Sequence, residues 1–197
     1  MMQLIVVSHT ECFEGEGPLL NRLFGEGMMR LHVRKPLAGV DAVRGLLDAI
    51  SPAYYERIAL HQHHELAGEY GIKRLHFTEH HRLLTNERQF TQLKAEGYSL
   101  STSVHNIQAA KKLPAVFSYA FFGPVFNSIS KEDYQAIVGE DFYWPTEEKM
   151  VPMIALGGIN ASNITRVAAM NFDGAAVLGA LWKEPEKAID VFKTLKA

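Results

Sequence analysis

Short apolar runs alternate with stretches of helical period along the chain. Runs of strand length occur at residues 4–8, 29–34, 57–61, 74–77, 98–103 and 116–122, and within the segments 151–160 and 172–181. Between them, the spacing of apolar residues predicts helices at residues 18–24, 41–50, 65–70, 86–96, 106–112 and 184–196. In the second run, alternation predicts that Leu31 and Val33 face one way and His32 and Arg34 the other. The pattern predicts an α/β protein.

The segment 151–160, VPMIALGGIN, is the clearest strand. It is apolar without a helical period, ends in Gly157 and Gly158, and is followed by Asn160, a residue type that caps helices. Because glycine has no β-carbon, such a turn lets the backbone approach a ligand and offer N–H groups to an anion. The segment 172–181, FDGAAVLGAL, repeats the arrangement, with Gly179 at the transition from strand to helix.

These two consecutive units lie where a (β/α)₈ barrel binds phosphate, in the loops after its seventh and eighth strands. Eight strands in 197 residues correspond to about 25 residues per unit, which is near the lower size limit of this barrel. We therefore predict a single-domain (β/α)₈ TIM barrel over residues 1–197. A doubly wound open sheet also alternates strand and helix, but it seldom needs eight units at this length. The alternative interpretation of the glycines is that they only make tight turns.

Composition excludes several function classes. The formal net charge is −2, so no basic excess favours nucleic acid or an anionic membrane as a partner. Cys12 is the only cysteine, which excludes an intramolecular disulfide and suits a reducing compartment. The sequence contains neither an apolar run of membrane-spanning length nor a signal-peptide pattern. We expect a cytoplasmic protein whose partners are small molecules.

The region 127–148 is the least regular part of the chain. It contains Gly139, Asp141, Pro145 and several aromatic residues without a helical stripe. It is either a mobile lid over the site or a shortened helix with a packed loop.

Several segments together resemble one protein family. FGPVFNSISK, residues 122–131, followed by VPMIALGGIN, resembles the FGPVFxTxTK and VPVxAIGGI pair of the thiamine-phosphate synthase and thiazole tautomerase (TenI-like) family. The resemblance extends to LHVRK at 31–35, ELAGEYGIKRLHF at 65–77, SVHN at 103–106 and DGAAVLGAL at 173–181. It implies a (β/α)₈ barrel, usually a homodimer, that acts in thiamine biosynthesis on small phosphorylated substrates. The synthases join hydroxymethylpyrimidine pyrophosphate to thiazole phosphate and release pyrophosphate.

The resemblance also implies roles for individual residues. Arg34 and Lys131 match the family's pyrophosphate-binding cations, and Ser103 matches a substrate-contacting serine. Lys35, the next cation along the chain, is assigned to the pyrophosphate with them. The implied catalytic residues are Arg34, Lys131 and Ser103. The implied thiazole phosphate site consists of Ser128, Ser130, Gly157, Gly158, Gly179 and Ala180.

Several positions depart from the family pattern, among them Pro36, which stands where a basic residue is expected two positions beyond Arg34. The Asn-Asp pair after the third strand, whose Asp holds Mg²⁺, is replaced by His61 and Gln62, and the second Mg²⁺ Asp is replaced by His81. Mg²⁺ prefers oxygen ligands, carboxylates above all, so the family's Mg²⁺ is the candidate cofactor but no metal ligand set is predicted. The histidine of the tautomerase motif FGHVF is replaced by Pro124.

Seven of the nine histidines lie between His61 and His105. His61 and His63 are two residues apart at a strand end, a spacing that allows them to face one ligand. His61 and, separately, His105 are additional candidates for the site. The functional interpretations are a borderline metal such as Zn²⁺ or a general base. The alternative is that His64 and His80 lie on the solvated surface and that His76 is a hydrogen-bonded core residue.

We predict a thiamine-phosphate synthase-like transferase. The alternatives are a thiazole tautomerase and a non-catalytic protein that binds thiazole or thiamine phosphate. An unrelated sugar-phosphate isomerase on the same barrel needs a carboxylate base at a strand end, for which Glu79 is the nearby candidate.

Overall fold

The computed structural model describes residues 2–127, 135–139 and 141–196. Eight parallel strands form a closed barrel in the order of the chain, so the predicted (β/α)₈ fold is confirmed. The strands are β1 (Gln3–Val7), β2 (Leu31–Val33), β3 (Ile58–Leu60), β4 (Arg74–Phe77), β5 (Ser99–Val104), β6 (Phe117–Phe122), β7 (Met153–Leu156) and β8 (Gly174–Val177).

Helices connect most of the strands on the outside of the barrel. They are α1 (Glu16–Gly25), α2 (Val40–Asp48), α3 (Leu66–Tyr70), α4 (Glu79–Leu84), α5 (Glu87–Ala95), α6 (Ile107–Ala110), α7 (Ile164–Ala169), α8 (Gly179–Trp182) and α9 (Ala188–Lys196). Short 3₁₀ turns occur at Pro52–Arg57, Thr146–Glu148 and Pro185–Lys187. No helix in the described ranges is long and apolar enough to cross a bilayer.

Local sequence explains some of the helix boundaries. Asn86 and Gln89 form a capping box at the start of α5, as expected from their types and spacing. The sequence pattern did not predict α4, because this helix buries none of its residues and so has no apolar stripe. Asn160 does not cap α7: it lies in the preceding turn, and its side chain accepts hydrogen bonds from Ser162.

Strand alternation divides the buried residues into two cores. Leu31 and Val33 belong to the large core between strands and helices, as predicted. His32 faces the barrel interior, because its ring is hydrogen-bonded to Tyr119 of β6, the strand opposite β2 in the ring of eight. A small apolar cluster of the interior consists of Ile5, Val7, Tyr119, Phe121, Ile154 and Ala176.

The second half of the region 127–148 packs against the barrel. Trp144 is 1% exposed and lies edge-on to Phe122, with ring centroids 4.7 Å apart. Its backbone N–H donates to the carbonyl of Met170 (3.0 Å). The packed-loop interpretation therefore holds for this half. Ser128, Ser130 and Lys131 lie outside the described residues, so the lid interpretation remains a prediction there.

Candidate active site

Arg34 stands at the carboxyl end of β2, where its backbone is held from β1. Its N–H donates to the Ser8 hydroxyl oxygen (2.9 Å), and that hydroxyl donates to the Arg34 carbonyl (3.2 Å). The side chain is half-buried, and its positive charge contributes to the lowered pKa of His61 and of His76. The guanidinium therefore lies within electrostatic range of these two interior rings, which fits the face that alternation predicted for it.

Three histidines on neighbouring strands meet inside the barrel. His32 Nδ1 lies 2.9 Å from His61 Nε2, and His32 Nε2 lies 2.7 Å from the Tyr119 hydroxyl. The rings of His61 and His76 are stacked, with centroids 4.0 Å apart. All three are buried. We call His32, His61 and His76 the histidine triad.

Burial keeps the triad neutral. Desolvation, and then the charge of neighbouring imidazoles, holds the pKa of His32 and that of His61 well below the usual value. Desolvation also lowers the pKa of His76 to about 3, with His64 and Arg34 contributing. Each ring therefore has one N–H donor and one acceptor nitrogen at neutral pH.

Ser103 lies at the end of β5, where His76 orients it. Its hydroxyl is 2.9 Å from His76 Nε2, and the Ser101 hydroxyl is 2.9 Å from His76 Nδ1. Because the Ser101 hydroxyl donates to the Leu75 carbonyl (3.4 Å), the geometry favours Nδ1–H of His76 as donor to Ser101 and Nε2 as acceptor from Ser103. The lone pairs of Ser103 then remain for a ligand.

Gly157 and Gly158 follow β7, and both need to be glycine. Their φ angles are 99° and 66°, in the left-handed region. A β-carbon on Gly158 would lie 2.6 Å from the carbonyl oxygens of Phe126 and Asn127, and one on Gly157 would lie 2.7 Å from Pro124 Cα. Both glycines therefore make a tight turn, which is compatible with a phosphate site.

Four backbone N–H groups at this side of the barrel remain for an anion. Gly179 and Ala180 form the first turn of α8, whose N–H groups have no acceptor within the helix. Among the described residues, no group accepts a hydrogen bond from the N–H of Gly157, Gly158, Gly179 or Ala180. The ends of β7 and β8 thus have the donors that a phosphate needs.

The Lys35 side chain is buried in an ion pair, in contrast to the pyrophosphate role carried over from the resemblance. Its ammonium lies 2.6 Å from both carboxylate oxygens of Glu16 and donates to the Glu11 carbonyl (2.9 Å). Lys35 is 0% exposed and Glu16 1%. Residues 34 and 35 point to opposite faces of the chain, so Arg34 reaches the mouth and Lys35 joins β2 to α1.

Two predictions about the histidines after β3 are wrong. His61 points into the barrel, whereas His63 has a φ of 53° and its Nε2–H donates to the Ala38 carbonyl (2.9 Å), so the two do not face one ligand. His64 is half-buried and its Nε2–H donates to the Leu60 carbonyl (3.1 Å), so it does not lie on the solvated surface.

The other histidines agree with the alternative predicted for them. His80 is exposed, and His76 is a buried, hydrogen-bonded residue. His105 is exposed, and its Nδ1–H donates to the Gly123 carbonyl (2.8 Å), which ties it to the end of β6. Its role as a site residue remains a prediction.

Sequence reasoning did not single out His32 or Tyr119. The signal for His32 was available, since alternation placed it on the face of Arg34. No local signal connects His32 with Tyr119, which lies 87 residues later.

A family model described as thiamine monophosphate synthase matches residues 32–181. The chain belongs to this family. The thiamine-phosphate synthase of Anoxybacillus flavithermus is 38% identical over 85 residues, 42% of this chain and 39% of that relative. The thiamine-phosphate synthase of Helicobacter pylori is 32% identical over 101 residues, 49% of this chain and 46% of that relative. The chain therefore spans less than half the length of these two relatives.

Two solved structures of proteins named thiamine phosphate pyrophosphorylase have the same barrel fold as this chain. The crystal structure of thiamine phosphate pyrophosphorylase from Bacteroides thetaiotaomicron is 27% identical with a TM-score of 0.77, over 99% of this chain and 96% of that one. The thiamine phosphate pyrophosphorylase from Pyrococcus furiosus has a TM-score of 0.79 at 18% identity, over 99% of this chain and 94% of that one, and shows the same fold.

The residues at the positions of the family's Mg²⁺ ligands do not fit this ion. The Gln62 side-chain oxygen accepts a hydrogen bond from the Lys35 N–H (3.0 Å), and His81 is exposed on α4. The Glu16 carboxylate is paired with Lys35. In the described part of the chain, the one group of three converging metal-binding side chains is the histidine triad, which has no oxygen ligand. We derive no step of the reaction through Mg²⁺.

Proposed function

We propose that this chain is a thiamine-phosphate synthase that condenses hydroxymethylpyrimidine pyrophosphate with thiazole phosphate. The observation that carries the proposal is the arrangement of this family member's barrel mouth, with the Arg34 cation after β2 and four N–H donors after β7 and β8. Such a mouth suits two phosphorylated substrates that bind on different sides.

In the proposed reaction, the thiazole nitrogen forms a bond to the methylene carbon of the pyrimidine. The bond between that carbon and the pyrophosphate oxygen breaks, and the electron pair leaves with the pyrophosphate. No proton transfer is needed for this step, so the protein supplies placement and charge stabilisation. We assign the leaving pyrophosphate to Arg34 and Lys131.

The other substrate is assigned to a different part of the mouth, at the ends of β7 and β8. The N–H groups of Gly157, Gly158, Gly179 and Ala180, with the hydroxyls of Ser128 and Ser130, bind the thiazole phosphate. Ser103, oriented by His76, contacts the pyrimidine from below. The neutral triad packs on Phe121, with centroids 4.6 Å from His32 and 4.9 Å from His76, and closes the floor of the site.

The test is an assay with both substrates, with and without Mg²⁺. We expect thiamine phosphate, which chromatography detects, and an equal amount of pyrophosphate, which a pyrophosphate assay detects. Conversion of one thiazole phosphate tautomer into another, without condensation, would establish a tautomerase instead. Binding of thiazole phosphate without any turnover would establish a binding protein.

The Gly158→Ala variant tests the phosphate site. Alanine at a left-handed φ costs about 1–2 kcal/mol, and its β-carbon would also displace the carbonyls of residues 126 and 127. We expect thiazole phosphate affinity, measured by calorimetry, to fall roughly 10-fold or more, because a hydrogen bond to a charged group contributes about 1.5–3 kcal/mol.

Gly71→Ala is the matched control. Gly71 has the same φ of 66°, but a β-carbon there would meet no atom within 4 Å. This variant should lose stability without losing phosphate affinity. Equal affinity losses in both variants, or no loss in either, would contradict the assignment of the phosphate site.

The Mg²⁺ ligands are tested by restoring the missing carboxylates. We expect the double variant Gln62→Asp with His81→Asp to gain Mg²⁺ affinity and Mg²⁺-dependent turnover, and each single variant to gain less, because one carboxylate holds the ion incompletely. Gln62→Asp with His80→Asp is the control, since His80 is the exposed neighbour of His81. Strong Mg²⁺ dependence of the unmodified protein would contradict this prediction.

A further inference from the structure

The histidine triad brings together three neutral imidazoles, none of which contacts a reacting atom in the proposed reaction. One nitrogen of each ring lies within 4.8 Å of the corresponding nitrogens of the other two. The rings come from β2, the residue after β3, and β4, and their exposed fractions are 0%, 3% and 0%. A cluster of three imidazoles from three adjacent rigid strands is a preorganised set of nitrogen ligands.

One nitrogen of the triad has no partner. His61 Nδ1 is buried and makes no hydrogen bond with any described residue. A buried polar atom without a partner is unusual, and it leaves this ring free to carry its proton on Nδ1 and to offer the lone pair of Nε2 to an ion. In contrast, both nitrogens of His32 and both nitrogens of His76 are hydrogen-bonded.

The partners of the other two rings suit metal ligation. A ligating histidine binds the metal through one nitrogen and donates the other N–H to an oxygen. The Tyr119 hydroxyl stands 2.7 Å from His32 Nε2 and can hold that nitrogen. His32 Nδ1, which faces His61, is then the nitrogen that binds the metal. Ser101 and Ser103 stand at the two nitrogens of His76, so either one can hold this ring while the other nitrogen turns to the metal.

One of the three distances is already close to that in a metal site, and the three rings, whose ligand atoms lie within 4.8 Å of one another, have to close on the ion. His32 Nδ1 and His61 Nε2 are 2.9 Å apart. Two nitrogens on a tetrahedral Zn²⁺, with Zn–N distances of about 2.0–2.1 Å, lie about 3.3 Å apart. His32 Nδ1 and His61 Nε2 share one proton in their hydrogen bond, so one ring has to take its other tautomer when both ligate one ion.

We propose that His32, His61 and His76 bind one divalent transition-metal ion of the Zn²⁺ type inside the barrel. Three imidazoles suit Zn²⁺, Co²⁺, Ni²⁺ or Cu²⁺ and do not suit Mg²⁺ or Ca²⁺. Three protein ligands leave a fourth position of a tetrahedral ion for water or another small ligand. This proposal does not rest on the proposed synthase activity, although His76 also orients Ser103.

The test uses the full chain after treatment with a chelator and buffer exchange. Zn²⁺ is titrated by calorimetry at pH 7.5, and Co²⁺ by visible absorption, whose intensity reports tetrahedral coordination. We expect one ion per chain for both metals and no heat with Mg²⁺. His61→Gln and His32→Gln should each lower Zn²⁺ affinity at least about 10-fold, with circular dichroism to verify folding.

Matched controls separate the triad from other zinc ligands. His80→Gln and Cys12→Ser remove exposed residues and should leave affinity and stoichiometry unchanged. Tyr119→Phe keeps all three ligands and removes only the hydroxyl beside His32 Nε2, so affinity should fall about 10-fold to 100-fold even if the His variants do not fold.

Two results would overturn the proposal. One is a folded, metal-free protein that binds neither Zn²⁺ nor Co²⁺, which would make the triad a hydrogen-bonded polar core only. The other is stoichiometric binding that is unchanged by His61→Gln or Tyr119→Phe but lost in His80→Gln or Cys12→Ser. Neither result depends on whether the chain forms thiamine phosphate.

Discussion

Replacing Lys35 by Met is expected to lower the free energy of unfolding by about 3–5 kcal/mol, because it leaves the carboxylate of Glu16 buried without its cation. Burial already raises the pKa of Glu16 even with Lys35 beside it, so desolvation of this carboxylate is a large cost. Urea unfolding at pH 7, followed by circular dichroism, measures the loss.

Two further variants make this prediction specific. Lys35→Met combined with Glu16→Leu should recover most of the stability, because a buried ion pair contributes little more than an apolar pair of similar volume. Lys187→Ala removes the cation of an exposed pair with Glu184 and should change stability little. If Lys35→Met were as stable as the unmodified protein but bound pyrophosphate poorly, the original assignment of Lys35 to the pyrophosphate would be right.

Arg34→Ala is expected to lower kcat/KM for the condensation by about 10²-fold to 10³-fold, which is typical for the loss of one donor to a developing negative charge. Arg34 is half-buried at the mouth, and no carboxylate of the described residues pairs with it, so its charge is available to the leaving pyrophosphate. The kcat/KM of Arg34→Lys should lie between that of the unmodified protein and that of Arg34→Ala, because lysine keeps the charge but not the bidentate geometry. Steady-state kinetics with both substrates measures these effects.

Arg44→Ala is the control for Arg34. Arg44 lies on α2 and pairs with Asp41 and Glu69 at the surface. Its removal should leave kcat/KM unchanged. Calorimetry should show that Arg34→Ala weakens pyrophosphate binding and leaves thiazole phosphate affinity nearly unchanged, because the two anions are assigned to separate sides of the mouth. An equal loss for both ligands would contradict that division.

The barrel was predictable because its signals are local. Each strand is a short apolar run between polar or glycine-containing turns, and eight such runs alternate with helices. The pair Gly157 and Gly158 was also readable, because only glycine adopts a left-handed φ so close to neighbouring carbonyl groups. By contrast, α4 has no buried residue, so no periodic pattern marks it.

Residue roles were less predictable where one residue's direction depends on its neighbours. Arg34 and Lys35 are adjacent cations, and the resemblance alone treated them alike. Strand alternation places their side chains on opposite sides of the chain. The Lys35 ammonium then pairs with the Glu16 carboxylate on α1. The left-handed φ of His63 likewise breaks the alternation that would have placed it beside His61.

By itself, the sequence determined the (β/α)₈ fold, the side of His32 and Arg34, and the glycines after β7, because each depends on residues within a few positions of one another. Only the tertiary structure decided the partners across the barrel. His32 meets His61, His76 and Tyr119, which are 29, 44 and 87 residues away, because closing the sheet brings their strands around one interior. Burial in that shared interior also makes the three imidazoles neutral, a property that no single segment of the chain encodes.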